Sequence, residues 1–150
     1  MRPLLHPAST TPALKDVALL ISRVALGVVL LAHGLQKLNE FTLEGTTAAF
    51  GQMGVPAAGV AAVVVTVVEI IGGAALVLGL LTPVVALINV ITLTGALVIV
   101  HAENGIFVQD NGFELVLALA AGLLVVAALG AGRFSVDALI RRPAPATVSG

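Results

Sequence analysis

One segment of the chain, residues 21–38, is apolar enough to cross a bilayer, yet it carries charged and strongly polar side chains. Its sequence is ISRVALGVVLLAHGLQKL, which includes Arg23, His33, Gln36 and Lys37. A charged side chain near the bilayer centre costs about 2.5–3.5 kcal/mol on insertion scales, so such groups normally face a bundle interior or a polar cavity. The rest of the chain must therefore supply segments that surround this one and offer polar groups of their own.

The composition is that of a membrane protein built from several such segments. Of 150 residues, 59% are hydrophobic and 10% are charged, against about 45–50% and about 25% in soluble domains. Because a transmembrane helix needs about 20 mostly apolar residues, the sequence predicts an all-α, integral membrane four-helix bundle with short interfacial segments. We expect one transmembrane domain over residues 14–142 and disordered tails at residues 1–13 and 143–150. The predicted spans are residues 14–37, 57–81, 83–101 and 113–131.

Basic residues are distributed unevenly between the two ends of these spans. Four spans place both termini on one side, and the opposite side has Lys37 as its basic residue. Since Lys and Arg accumulate on the cytoplasmic side, we expect a multi-pass plasma (inner) membrane protein with both termini in the cytoplasm. A net charge of −1 and the lack of a basic run argue against nucleic acid as a partner. The basic residues on the side of the termini are Arg2, Lys15, Arg133, Arg141 and Arg142.

Counting residues inward from the cytoplasmic end of each span sorts the polar side chains by depth, at about 1.5 Å per residue. The count predicts three polar layers across the membrane. Arg23 and Asn89 lie about seven residues deep, Glu69 about twelve, and His33, His101 and Glu114 about seventeen to nineteen.

Helical spacing predicts which faces of the spans meet. Small residues share these faces with the polar ones, which favours close helix packing in lipid and indicates a narrow polar interior. The predicted stripes are Arg23, Gly27, Leu30, Gly34 and Lys37 in the first span, Ala62, Val65, Thr66, Glu69, Gly72 and Gly73 in the second, and Glu114, Ala118, Ala121, Gly122 and Val125 in the fourth.

A tight turn is predicted between the second and third spans, at residues 79–83. Thr82 is a candidate helix N-cap, and Pro83 would follow it at the first helical position. The segment at residues 39–57 is too polar to span, but its Phe and Met residues give it an apolar side, so we expect a short interfacial helix there.

The buried polar residues are the candidate site. We predict catalytic roles for Glu69, His33 and His101, and ligand-binding roles for Arg23, Lys37, Asn89 and Glu114. Structural alternatives stay open, since Arg23 could snorkel or pair with Glu69 or Asn89, and Lys37 could be an interface anchor. The histidines fit a proton relay, a quinone headgroup site or contact with interfacial water. No metal site is predicted, because no His-x-x-x-His or Glu-x-x-His spacing occurs and the chain has no cysteine.

The order of these motifs resembles the DoxX family of small four-helix membrane proteins. The resemblance rests on Arg23, His33-Gly34-x-x-Lys37-Leu38, Gly54-x-Pro56, Glu69-x-x-Gly72-Gly73, Gly79-x-x-Thr82-Pro83, His101, Gly112-x-Glu114 and Gly130-x-Gly132-Arg133-Phe134-Ser135-x-Asp137. It covers nearly the whole predicted domain. The family's relatives include the small membrane subunit of thiosulfate:quinone oxidoreductase, so the resemblance implies association with membrane redox chemistry.

Three functions follow as hypotheses. The first is a redox-associated subunit whose outer polar layer binds a quinone-like headgroup or a small oxidisable ligand, with a quinone as the possible cofactor. The second is a non-enzymatic scaffold or assembly subunit of an oxidoreductase or respiratory complex, whose polar layers only lock the bundle. The third, transport of a small solute or proton, is weaker because paired repeats and discontinuous helices are not evident. Expected partners are the lipid bilayer and either further copies of the chain or a membrane oxidoreductase.

Overall fold

A computed structural model describes residues 11–141 of the protein, and all regular structure in that range is helical. The predicted tails lie almost wholly outside the described residues. The α-helices are α1 (Pro12–Asn39), α2 (Thr42–Gln52), α3 (Ala58–Leu78), α4 (Thr82–Ala96), α5 (Glu114–Leu129) and α6 (Val136–Ile140). A π turn (Leu97–His101) and a 3₁₀ turn (Ala102–Asn104) extend α4, and a second 3₁₀ turn (Val108–Asp110) precedes α5.

The helices confirm the predicted all-α membrane architecture. Three helical segments are long and apolar enough to cross a membrane, namely Pro12–Asn39, Ala58–Leu78 and Thr82–Asn104. The fourth, α5, is apolar but has 16 residues, which corresponds to about 24 Å at 1.5 Å per residue. We call the end of the bundle where α1 begins the terminal side, and the end that carries α2 the loop side.

Glycines bring α1 and α3 into backbone contact. A Cβ atom on Gly73 would lie 2.6 Å from the carbonyl oxygen of Gly27 and 2.6 Å from the amide nitrogen of Leu31. Such close approach is typical of helix pairs in lipid, where packing rather than a hydrophobic drive holds the helices together. The second pair, α4 and α5, packs instead through larger side chains, including Ala86, Leu93, Leu119 and Leu123.

Burial along the helices confirms two of the predicted stripes and corrects the third. The buried residues of α1 are Leu19, Arg23, Gly27, Leu30 and Gly34, and those of α3 include Thr66, Glu69, Gly72 and Gly73. In α5, however, the buried face is Leu119, Ala120, Leu123 and Val126, whereas Ala118, Ala121 and Val125 are exposed. The prediction for α5 was wrong because it used Glu114 to mark the inner face, and the Glu114 carboxylate binds a loop at the helix end.

The terminal side is closed by the segment that follows α5. The Asp137 carboxylate accepts hydrogen bonds from the backbone N–H groups of Leu81 (2.7 Å) and Thr82 (2.9 Å) at the start of α4. Asp137 therefore caps this helix from a distant part of the chain, and the predicted Thr82 side-chain cap is not formed. Partial burial favours the neutral carboxyl, but these two N–H groups and the charge of Arg141 outweigh it and lower the pKa of Asp137.

Candidate functional site

A cavity of about 690 Å³ opens between the helices on the loop side. All four long helices contribute to its walls, and Phe41, Phe50 and Met53 from the region of α2 also line it. Most of the lining is aliphatic or aromatic, as in typical small-molecule sites, where a few placed polar groups set orientation. The polar lining residues are His33, Gln36, Lys37, Glu69, Thr92, His101 and Asn111.

An ion pair between α1 and α3 is the main charged feature of this cavity. The Lys37 Nζ atom lies 2.7 Å from Glu69 Oε2, and the side chains are only 17% and 11% exposed. The pair forms because Gly34 lets the helices approach: a Cβ on Gly34 would lie 2.9 Å from the amide nitrogen of Ile70 and 3.0 Å from the Cβ of Glu69. Glu69 therefore sits about one helical turn inward of Lys37, whose flexible side chain reaches down to it.

The two histidines reach the cavity from opposite helix pairs. His33 lies on α1, near enough to Glu69 to interact with its charge. On the other wall, His101 Nδ1 lies 2.7 Å from the carbonyl oxygen of Asn111. Because that carbonyl can only accept, the hydrogen bond requires an N–H at Nδ1.

The π turn at Leu97–His101 places His101 on the cavity wall. A π turn holds more residues than an α-helical turn and so rotates the side chains that follow it, and such turns are frequent at functional sites. The buried face of α4 runs through Ala86, Asn89 and Leu93, and the wider turn brings His101 onto the continuation of that face.

Arg23 lies at the terminal side, away from the cavity. Its guanidinium donates to the carbonyl oxygens of Leu76 (2.8 Å) and Val77 (2.5 Å) and to that of Phe134. The last carbonyls of an α-helix have no partners within the helix and carry its negative dipole end. Arg23 is thus the C-terminal cap of α3, and the proposed pairing with Glu69 or Asn89 is not formed.

Asn89 is fully buried between α3 and α4, and it too lies outside the cavity lining. Its Nδ2 donates to the carbonyl oxygen of Val85 at 3.0 Å. Its side chain fills the space left by Gly72, where any Cβ would collide with it. These contacts make Asn89 a packing residue of the α3–α4 contact.

Glu114 organises the loop before α5. Its carboxylate accepts a hydrogen bond from the N–H of Val108 at 2.8 Å, and its own N–H donates to the carbonyl oxygen of Ile106 at 2.9 Å. The same loop supplies Asn111, the partner of His101. Glu114 therefore supports one cavity wall without lining it.

The structure brings four of the seven predicted site residues together, namely His33, Lys37, Glu69 and His101. Glu69, predicted to form a middle polar layer, shares this cavity with the predicted outer residues His33 and His101. Lys37 reaches inward to Glu69 and so connects the two depths. Residues 39–57 also contribute to the cavity, which was not predicted. Their apolar side was visible in the sequence, but nothing there indicated which helices that side would cover.

Comparison with known proteins places this chain in a family. A sequence model described as DoxX matches residues 18–102, more than half of the chain. The protein belongs to the DoxX family. This confirms the resemblance drawn from the ordered motifs. Two residues of those motifs cap helices in the structure, Arg23 at the end of α3 and Asp137 at the start of α4.

Relatives of this DoxX protein span most of its length. It is 33% identical over 104 residues to the Bacillus subtilis (strain 168) protein named "Putative oxidoreductase CatD", covering 69% of this chain and 74% of that protein. It is 30% identical over 130 residues to inner membrane protein YqjF of Escherichia coli (strain K12), covering 86% and 96% of the two chains. Inner membrane protein YphA of the same strain is 29% identical over 130 residues, covering 83% and 91%. No solved structure matches. The spans and these relatives together support a multi-pass protein of the plasma membrane.

Proposed function

We propose that this DoxX protein is a redox-associated membrane subunit whose loop-side cavity binds a quinone-like headgroup or a small oxidisable ligand. The observation that carries the proposal is the Lys37–Glu69 ion pair in the wall of a largely apolar cavity. Lipid-facing surfaces do not retain charged groups, and ionisable residues kept inside membranes mark functional sites by default. The relative named as an oxidoreductase agrees with this class of function.

The lining supplies the chemistry that a quinone needs. Lys37 carries three N–H donors, and one of them donates to Glu69. A further N–H group is therefore available to donate to a quinone carbonyl oxygen. Reduction of a quinone to the quinol takes up two electrons and two protons. Glu69 and the histidines would exchange the protons, and the electrons would come from a partner oxidoreductase or a bound cofactor.

We further propose that the cavity faces the outer side of the membrane and that both termini are cytoplasmic. Among the described residues, Lys15, Arg133 and Arg141 lie at the terminal side, and Lys37 is the cation at the loop side. This asymmetry follows the positive-inside rule. Labelling of single cysteines placed at Glu44 and Arg141 with a membrane-impermeant thiol reagent tests it, and labelling of the second position in intact cells would contradict it.

Binding of decylubiquinone tests the main proposal. In detergent micelles, titration calorimetry on the Lys37→Met/Glu69→Gln double variant is expected to show about tenfold to hundredfold weaker binding than the wild type, since a charge-assisted hydrogen bond contributes about 1.5–3 kcal/mol. The double variant removes both charges and so leaves neither one buried alone. The matched control, Lys15→Gln/Glu44→Gln, makes the same charge changes at exposed positions and should bind as the wild type does. Equal binding by wild type and cavity variant would refute the proposal.

A scaffold function is the second candidate, and one observation favours it. Three of the predicted site residues, Arg23, Asn89 and Glu114, hold the fold together and do not line the cavity. If the ion pair is also purely structural, its charge-swapped form Lys37→Glu/Glu69→Lys should recover a partner complex as the wild type does. Under the ligand-site proposal, the swapped protein stays folded but loses decylubiquinone binding, because the donor now projects from the other helix.

A further inference from the structure

A second cavity, of about 380 Å³, lies at the terminal side, far from the one described above. It is formed where the start of α1, the end of α5 and the helix α6 meet. Its walls combine charged and aliphatic residues. Those that bear on its chemistry are Lys15, Asp16, Leu19, Leu129, Arg133, Ala138 and Arg141.

Three basic residues from three different elements line this cavity. Lys15 comes from α1, Arg133 follows α5, and Arg141 ends α6. Within residues 11–141, none of them makes an ion pair; the pair between Lys37 and Glu69 is the one formed there. Among the described residues, the positive charge at this cavity is therefore not balanced by a close side-chain ion pair.

The cations are held in place by neighbours that leave their charge available. The Arg141 guanidinium donates through Nε to the carbonyl oxygen of Asp137 at 3.2 Å, and Arg133 stacks 5.3 Å from the centre of the Phe134 ring. The start of α1 adds to the field, because its positive dipole end lies on this side and, among the described residues, its first turn has no acidic residue and no side-chain cap.

Two carboxylates oppose this charge, that of Asp16 and that of Asp137, which interacts with the charge of Arg141. Asp16 lines the cavity, and its Oδ1 accepts a hydrogen bond from the backbone N–H of Arg133 at 3.0 Å. The cavity thus has an excess of positive over negative groups. Beside them, Leu19 and Leu129 form an apolar wall that continues onto the membrane-facing surface of α5.

We propose that this cavity binds a phosphate-ester anion, the headgroup of an anionic phospholipid. The proposal rests on the proposed topology, in which the terminal side is cytoplasmic. Basic pockets between membrane helices on that side bind such headgroups, and guanidinium groups suit phosphate because they offer planar, paired donors. The leucine wall accepts the start of an acyl chain while the three cations contact the phosphate. A free phosphate ion would use the same cations without the leucines.

Native mass spectrometry of the full-length protein in a neutral detergent, with added phosphatidylglycerol, tests the proposal. One tightly bound lipid is expected, with phosphatidylcholine at least tenfold weaker. Each cation near the membrane surface contributes about fivefold in affinity, so Lys15→Gln/Arg133→Gln should weaken binding about 25-fold. Asp16→Asn keeps the hydrogen-bond acceptor but removes the opposing charge, and it should strengthen binding severalfold.

Two further measurements distinguish a specific lipid site from general attraction by surface charge and from binding of free phosphate. Ala138→Leu retains every charge but fills the cavity, and it should weaken lipid binding at least tenfold. Inorganic phosphate at millimolar concentration should not displace the lipid if the acyl chain contributes. Unchanged binding by Ala138→Leu, no preference for phosphatidylglycerol, or displacement by phosphate alone would each overturn the lipid site. Circular dichroism of each variant confirms its fold independently.

Discussion

The backbone contact between α1 and α3 gives the sharpest test of the structure. A Cβ atom on Gly73 would lie 2.6 Å from Gly27 O, whereas ordinary contact begins at 3.4 Å, so Gly73→Ala must push the helices apart by about 0.8 Å. The obstacle is backbone, so no side chain can rotate away. A gap of 0.5–1 Å forfeits about a quarter to a half of each dispersion contact, and overpacking typically costs about 1–3 kcal/mol. We expect a loss near the top of that range, because the contact lies between two whole helices.

The matched control is another helical glycine with open space around it. A Cβ on Gly95 meets nothing within 4 Å, so Gly95→Ala should be neutral or stabilise by up to about 1 kcal/mol through helix propensity. Unfolding by sodium dodecyl sulfate in mixed micelles, followed by far-ultraviolet circular dichroism, suits this chain because it has no Trp or Tyr for fluorescence. If Gly73→Ala is as stable as Gly95→Ala, the close approach of α1 and α3 is refuted.

Three further outcomes are expected. Arg23→Gln should lower the free energy of unfolding by about 3 kcal/mol, because charge-assisted hydrogen bonds to carbonyls at the α3 terminus are lost. The control Arg133→Gln, in neutral detergent, should change the free energy of unfolding by less than about 0.5 kcal/mol, as surface substitutions do. Equal losses in the two variants would contradict the capping role of Arg23. Asp137→Ala should lower the free energy of unfolding by about 0.5–2 kcal/mol at pH 7, as loss of other helix caps does. Since the folded-state pKa of Asp137 lies below the usual 3.8, this stabilisation is complete above pH 3.8 and disappears as the pH falls through the folded-state pKa. Unfolding curves of wild type and variant should therefore converge in acid. Glu114→Gln should speed amide hydrogen exchange at residues 105–113, whereas Glu103→Gln should not. Unchanged exchange in Glu114→Gln would show that the Glu114 carboxylate does not hold the loop.

The two ends of the bundle are built for different tasks. At the terminal side, Arg23 and Asp137 bind the ends of α3 and α4 and so satisfy backbone groups that lipid would leave unpaired. At the loop side, the helices leave a cavity, and the ion pair of Lys37 and Glu69 lies in its wall. This division explains why polar residues that look equivalent along the sequence have different roles.

Hydropathy and helical spacing were sufficient to determine the all-α membrane class and the inner faces of α1 and α3. These properties depend on local sequence, since burial in lipid demands long apolar helices and small residues where two helices touch. The candidate site was also partly visible, because ionisable groups inside a membrane are expensive and therefore conspicuous.

Only the tertiary structure decided which polar groups meet. Arg23 binds carbonyls more than fifty positions away, and Asp137 caps a helix that begins 55 positions earlier. Depth counting could not find these partners, because it ignores rotation about each helix axis and treats backbone groups as already paired. It also treats a long side chain as fixed at the height of its Cα atom. In the structure, Lys37 reaches inward to Glu69, while Arg23 binds the end of α3. The charged residues of the segment 21–38 therefore belong to two separate sites, a cavity ion pair and a helix cap, and do not form one polar wall.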